Sequence, residues 1–195
     1  MVKDLIIEST NLTKAYGPHI ALDSLNIKIE EGATGLLGPN GAGKSTFLKT
    51  ILGLIQLTSG EGKVLGYDVR TQGNIIRQNI GYMPEYDALN PSMDAIHQVK
   101  YSGELIGMNP AVALQRAHQA LDYVGLGEQR YREVESFSTG MKQATKLACA
   151  LIHDPKLIIA DEPSNGLDAK AREFMLNTLE ITVNEGQRSV LMLSL

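Results

Sequence analysis

The stretch GPNGAGKST, residues 38–46, follows an apolar run, ATGLL, and leads into a helix-forming segment, FLKTILGL. No other feature constrains the fold as much, because G-x-x-x-x-G-K-[ST] between a strand and a helix is a phosphate-binding loop. Gly41 and Gly43 lack a Cβ, so the backbone closes tightly and turns N–H groups inward toward an anion. The helix that follows adds roughly +0.5 of a charge at its N-terminus. Lys44 reaches the β- and γ-phosphates as a mobile point charge, and the Ser45 hydroxyl is placed to ligate Mg²⁺. The residues expected around a nucleotide's phosphates are Gly38, Pro39, Asn40, Gly41, Ala42, Gly43, Lys44, Ser45 and Thr46. The motif alone does not choose ATP over GTP.

A second constellation, KLIIADEP, puts two carboxylates at the end of an apolar strand run, Leu157 to Ile159. In open parallel sheets, ligands bind beyond the carboxyl ends of the strands. Asp161 is placed there to hold Mg²⁺ through water. Glu162 is placed to polarise a water attacking the γ-phosphate, a contribution of roughly 10²–10⁴-fold. Read without the phosphate loop, the pair is only a solvated turn before Pro163.

The rest of the chain alternates between strand and helix signals. Leu25, Ile27 and Ile29 alternate with Asn26, Lys28 and Glu30, a strand period of two. Residues 33–38 read as a short buried strand, and turn signals follow at 58–62 and near Gly66. The segment 88–154 is helix-dominated. Asn109-Pro110 opens one helix there and Gly125 stops it. FSTGMKQ, residues 137–143, opens another, with Met141, Ala144, Leu147, Ala148, Leu151 and Ile152 at helical spacing and Ser138 as its cap. A capped N-terminus is also an anion site. Asp154-Pro155 ends that helix, a polar helix covers about 169–184, and SVLMLSL is a last strand. The result is an α/β core with a helical insert.

The chain's 195 residues suit one domain with a subdomain. With 18 Lys and Arg against 22 Asp and Glu, the net charge of −4 argues against a nucleic-acid footprint. The lone Cys149 forms no internal disulfide, which points to a reducing cytoplasm, and it reads as a small buried residue. MVKDLIIEST is too polar for a signal peptide, and no apolar run approaches the ~18 residues that span a bilayer. A membrane role would come through a partner.

With its motifs in this order, the chain resembles the ATP-binding subunit of ABC transporters over essentially its whole length. GPNGAGKST matches Walker A, LIIADEP matches Walker B with its glutamate, SNGLD (164–168) matches the D-loop, and FSTGM stands in place of the signature motif. The resemblance implies a P-loop NTPase fold in a single domain, 1–195. Its RecA-like core with an antiparallel β subdomain would cover about 1–84 and 155–195, and its helical subdomain about 85–154. It further implies ATP hydrolysis that drives transport through a membrane-spanning permease. The ATP-binding subunits would form head-to-tail homodimers or heterodimers at the cytoplasmic face of the membrane, and no nucleic acid would be involved. Ser138 and Gly140 would close on ATP held by the opposite protomer, while Thr139 and Met141 depart from the signature pattern. Tyr16, in LTKAYG, either stacks on adenine or is a tyrosine at a strand end. Glu85, in GYMPEYDAL, stands where many members carry glutamine, and either approaches Mg²⁺ or is an exposed loop acid. Glutamate at that position, STGM and NGLD together resemble drug, antibiotic and polysaccharide exporters.

The family's switch histidine is expected just after SVLMLSL, where this sequence stops, and His19, His97, His118 and His153 lie in other contexts. Either the chain is truncated or the histidine is missing. In the second case it would be an ATP-binding module that hydrolyses poorly. ABC-type ATPases of DNA maintenance carry a long coiled coil between Walker A and the signature, and the stretch from Lys44 to Ser138 has no sustained heptads. Soluble ABC proteins of translation usually carry two such domains, and this chain has one.

Overall fold

In the first sheet, apolar residues alternate with polar ones. The computed structural model describes residues 4–186 and 188–194. Strands β1 (Leu5–Tyr16) and β2 (His19–Glu30) pair antiparallel, and β1 also pairs with β4 (Ser59–Val64), which continues into β5 (Tyr67–Asp68). Their order is β2-β1-β4-β5. Ile29 is buried while Lys28 and Glu30 face water, as the period of two predicts.

The second sheet is parallel, in the order β3-β8-β7-β6, from β3 (Ala33–Leu37), β8 (Ser189–Ser194), β7 (Leu157–Asp161) and β6 (Ile80–Met83). Leu195, the last residue of the predicted final strand, lies outside the described residues. β7 and β8 are apolar on both faces because both are covered. Leu157, Ile159, Leu191 and Leu193 pack with α1 (Lys44–Ile51) and the antiparallel sheet. Ile158, Ala160 and Val190 point the other way, into a core shared with α3 (Ala95–Leu105), α4 (Pro110–Tyr123), α5 (Thr139–Leu151) and α6 (Ala169–Gly186). Each large side chain so buried contributes about 1.5–3 kcal/mol. The short α2 (Gly73–Gln78) precedes β6.

Local chemistry sets the helix ends. The Asn109 side chain accepts from the Ala111 N–H at 3.0 Å, and Pro110 takes the first helical position of α4. Past its end, Gly125 takes φ +75°, a conformation that L side chains rarely adopt.

Two readings of the sequence need correction. β3 is not a buried strand: its residues are exposed or half-exposed, and Leu37 is 73% exposed. Its apolar composition suits a central strand, but among the described residues it pairs only with β8 and has one edge open. Residues 59–62 are not a turn but the start of β4. Ser-Gly-Glu-Gly composition reads as a loop, yet Gly60, at φ +80°, meets the irregularity of β1 between Thr10 and Thr13. A Cβ there would sit 2.1 Å from the Asn11 carbonyl oxygen, so only glycine lets the two backbones approach.

α5 lies equally close on β6. A Cβ on Gly81 would stand 2.1 Å from the Ala150 carbonyl oxygen. Gly81→Ala is therefore expected to lower the unfolding free energy by about 1–3 kcal/mol in a denaturant titration.

Candidate functional site

The carboxyl ends of the parallel strands gather the motifs. β3 leads into the glycine loop, where Gly41 (φ +85°) and Gly43 (φ +88°) hold left-handed conformations. A Cβ on Gly43 would meet the Ala21 carbonyl oxygen at 2.6 Å, so the loop is wedged against β2. That contact puts the loop beside the β1–β2 hairpin, in which Ala15 pairs with Ile20 and Tyr16 with His19. Tyr16 is half-exposed, and the Lys14 ammonium stands 4.7 Å from its ring centroid. The first N–H groups of α1 have no partner within the helix. The Lys44 ammonium donates to the Gly38 carbonyl, bridging the loop to its own start.

β8 ties this loop to the acid pair. The Gly38 N–H donates to the Ser194 carbonyl at 3.3 Å, and the Glu162 N–H donates to the Leu193 carbonyl at 2.9 Å. The Ser194 hydroxyl donates to Glu162 Oε2 at 3.1 Å. Glu162 takes φ +47°. For a residue with a Cβ this costs about 1–3 kcal/mol, a kind of strain that clusters at functional sites.

Asp161 sits among like charges. Burial first, and then the nearby Glu85 and Glu162 carboxylates, push its carboxyl above the ordinary range. The Tyr82 hydroxyl, 3.4 Å from Asp161 Oδ2, and the charge of Lys44 act in the opposite direction. The Tyr82 hydroxyl is itself pushed well above its ordinary value, first by burial and then by Asp161. Glu85 follows β6 on an exposed loop, yet its charge is felt at Asp161. β8 thus ties the glycine loop to Glu162, with Asp161 next along β7 and the Glu85 charge close enough to act on it.

Ser138 and Gly140 line a different cavity, of about 550 Å³, with Asp168, Ala171 and Phe174. Ser138 caps α5, its Oγ accepting from the Met141 N–H at 3.3 Å. The Gln143 amide reaches the Asn165 carbonyl at 3.5 Å, and Asp168 accepts from the Ala171 N–H at 2.8 Å at the start of α6. Cys149 packs at the edge of the core, where burial pushes its thiol up to about 11.

Sequence reasoning missed Ser194, Tyr82 and Lys146. The first two are visible only once strand register sets them beside Glu162 and Asp161. Lys146 carried a weak signal, a lysine inside an otherwise buried helical stripe.

A parallel sheet with a glycine loop on a helix N-terminus and an acid pair beyond a neighbouring strand is a P-loop nucleotide-binding fold. A profile of the family described as "ABC transporter" matches residues 22–165, and the chain belongs to this family. It is 37% identical over 90% of its length to the linearmycin resistance ATP-binding protein LnrL of Bacillus subtilis, and covers 57% of that protein. It is 34% identical over 95% of its length to the Nod factor export ATP-binding protein I of Cupriavidus metallidurans, and covers 62% of it. The chain therefore spans less than two thirds of these curated relatives. Among solved structures, CbiO1 from Clostridium perfringens, part of the ABC transporter complex CbiONQ, superposes with a TM-score of 0.88 at 23% identity, covering 98% of this chain and 79% of that one. The ATP-binding cassette MJ0796, in a dimeric post-hydrolysis state with ADP and Pi, gives 0.82 at 27% identity, over 96% of this chain and 87% of that one.

Proposed function

We propose that this chain binds ATP with Mg²⁺ and hydrolyses it to power export through a membrane-spanning partner. What supports this reading is the bonding of the glycine loop and Glu162 to the same strand, β8, with the charges of Lys44 and Glu85 acting on the adjoining Asp161. Residues 38–46 cradle the phosphates, with Lys44 leaving the Gly38 carbonyl for phosphate oxygens. Glu162 accepts the proton of the attacking water, held in orientation by Ser194. Tyr16 offers the ring face not occupied by Lys14 to the base.

The residues present fit Mg²⁺. Ser45, Asp161 and Glu85 would hold it, and the crowding of Asp161 by other carboxylates is relieved by a cation. Among the described residues no group of three acidic, His or Cys side chains is gathered to hold a metal alone. Bound there, the ion would supply positive charge that neutralises charge developing on the phosphates.

Among the described residues no helix is long and apolar enough to cross a membrane, so the permease is a separate or linked partner. A groove of about 400 Å³ between α3, α5 and the loop after β6 suits an apolar helix of that partner, which would hold this chain at the cytoplasmic membrane face. Leu105 (68% exposed) and Tyr86 (70%) stand at its rim. Export is favoured by relatives named for linearmycin resistance, Nod factor export and daunorubicin/doxorubicin resistance.

The signature turn would act on ATP held by a second copy or a paralogue; the similar cassette MJ0796 is dimeric. Ser138→Arg is expected to leave monomer nucleotide affinity within about twofold while abolishing ATP-dependent dimers in analytical ultracentrifugation. Ser138→Ala, which loses the cap and the phosphate-facing hydroxyl but adds no bulk, is expected to cost about 1 kcal/mol of stability and to weaken the ATP-dependent dimer without abolishing it. Dimers surviving the arginine would reduce FSTGM to a helix cap. The function as a whole is tested by Mg²⁺-dependent ATP turnover of the purified protein with its membrane partner. No turnover under those conditions would remove the motor role.

A further inference from the structure

Lys146 lies in the middle of α5 and is 5% exposed. A long cationic side chain normally carries its head to water, and burying the charge costs free energy unless its donors are used. Here all are used. The ammonium donates to three consecutive backbone carbonyls, Pro84 at 2.8 Å, Glu85 at 3.0 Å and Tyr86 at 3.3 Å. One turn earlier on the same face, Lys142 reaches Asp87 at 3.4 Å. A methionine would fill the same space without desolvating a charge, so packing does not account for this lysine. Desolvation does pull the Lys146 ammonium below its ordinary value, against the nearby charges of Asp87, Glu85 and Asp161.

What the grip joins gives it meaning. α5 starts at the signature serine, Ser138. The gripped loop carries Glu85, whose charge acts on Asp161. Its neighbours Pro84 and Tyr86 line the groove described above, as does Lys146 itself. Carbonyl contacts fix the backbone of the loop whatever its side chains are. Beside them, Gln143 (5% exposed) lines a polar cavity with Glu85, Lys146 and Asn165, and its Oε1 has no hydrogen-bond partner among the described residues.

We propose that Lys146 is a positioning residue that locks the loop 84–87 onto the signature helix. Glu85 then stands at the Mg²⁺ side of the nucleotide site, and a partner pressing on the groove displaces Glu85 and Ser138 as one body. The proposal rests on the function proposed above. It differs from a purely structural role in predicting a specific defect in Mg²⁺ use.

The test compares wild type, Lys146→Met, Lys146→Arg, Glu85→Ala and the Lys146→Met/Glu85→Ala double variant. Lys146→Met is expected to speed hydrogen exchange of the amides at 85–88 and to raise the Mg²⁺ concentration for half-maximal binding of a fluorescent ATP analogue about tenfold. Affinity for the analogue in EDTA should not change. Glu85→Ala should show the same shift, the double variant no further one, and Lys146→Arg should recover part of it. Lys146→Gln, which keeps a donor without the charge, takes the place of methionine if that variant does not fold. A wild-type Mg²⁺ half-point in Lys146→Met, or shifts that multiply in the double variant, would overturn the role. Nucleotide binding that ignores Mg²⁺ in the wild type would instead sink the underlying function.

Discussion

Glu162→Gln is expected to lower steady-state ATP turnover by roughly 10²–10⁴-fold while leaving ATP affinity within about threefold. Glutamine has nearly the same volume, and its Oε1 can still accept from the Ser194 hydroxyl now bonded to Glu162. The strained backbone at φ +47° is kept as well. What disappears is the ability to take a proton from the attacking water. Such a variant should accumulate as an ATP-bound dimer, since binding persists and exit by hydrolysis is closed. Turnover is read by phosphate release and affinity by equilibrium titration. Unchanged turnover would exclude Glu162 as the base and shift attention to Glu85, the other carboxylate acting on Asp161.

Lys44→Ala should fail one step earlier, at binding. Hydrogen bonds to charged groups contribute about 1.5–3 kcal/mol, so nucleotide affinity should fall by roughly 10- to 100-fold. The fold itself should survive, because Lys44 is half-exposed and its bond in this structure is to the Gly38 carbonyl of the same loop. Lys44→Arg should not rescue it. The planar guanidinium is bulkier than an ammonium and cannot occupy a cradle shaped around a point charge. Isothermal titration with ATP decides, and an affinity equal to wild type in Lys44→Ala would remove that lysine from the phosphate site.

The local signals in the sequence and the tertiary ones had different fates. The unbroken apolar run of β7, the Asn109-Pro110 start and Gly125 stop of α4, and the serine cap of α5 all act within a few residues, so they were legible. The glycine loop was legible because its conformation demands glycine at Gly41 and Gly43. What depends on neighbours was not. The exposure of β3 follows from its place at a sheet edge, not from its composition. β4 was masked by small polar residues that serve the irregularity in β1. Ser194 reaches Glu162 because parallel pairing sets Asp161 opposite Leu193, and no spacing along the chain announces that. Lys146 finds its carbonyls only after α5 packs on β6.

The position of β8 has a consequence for assembly in time. It is the last of the described strands in sequence, yet it sits between β3 and β7. Those two strands do not touch each other in the sheet. Their pairing partner arrives from far along the chain, the kind of distant closure that makes folding slow. During synthesis the glycine loop and the acid pair therefore emerge long before they can share a ligand. The two are tied together once Leu193 and Ser194 are in place and bond to both. A nascent chain stopped short of β8 would carry both motifs without the strand whose carbonyls bond to each.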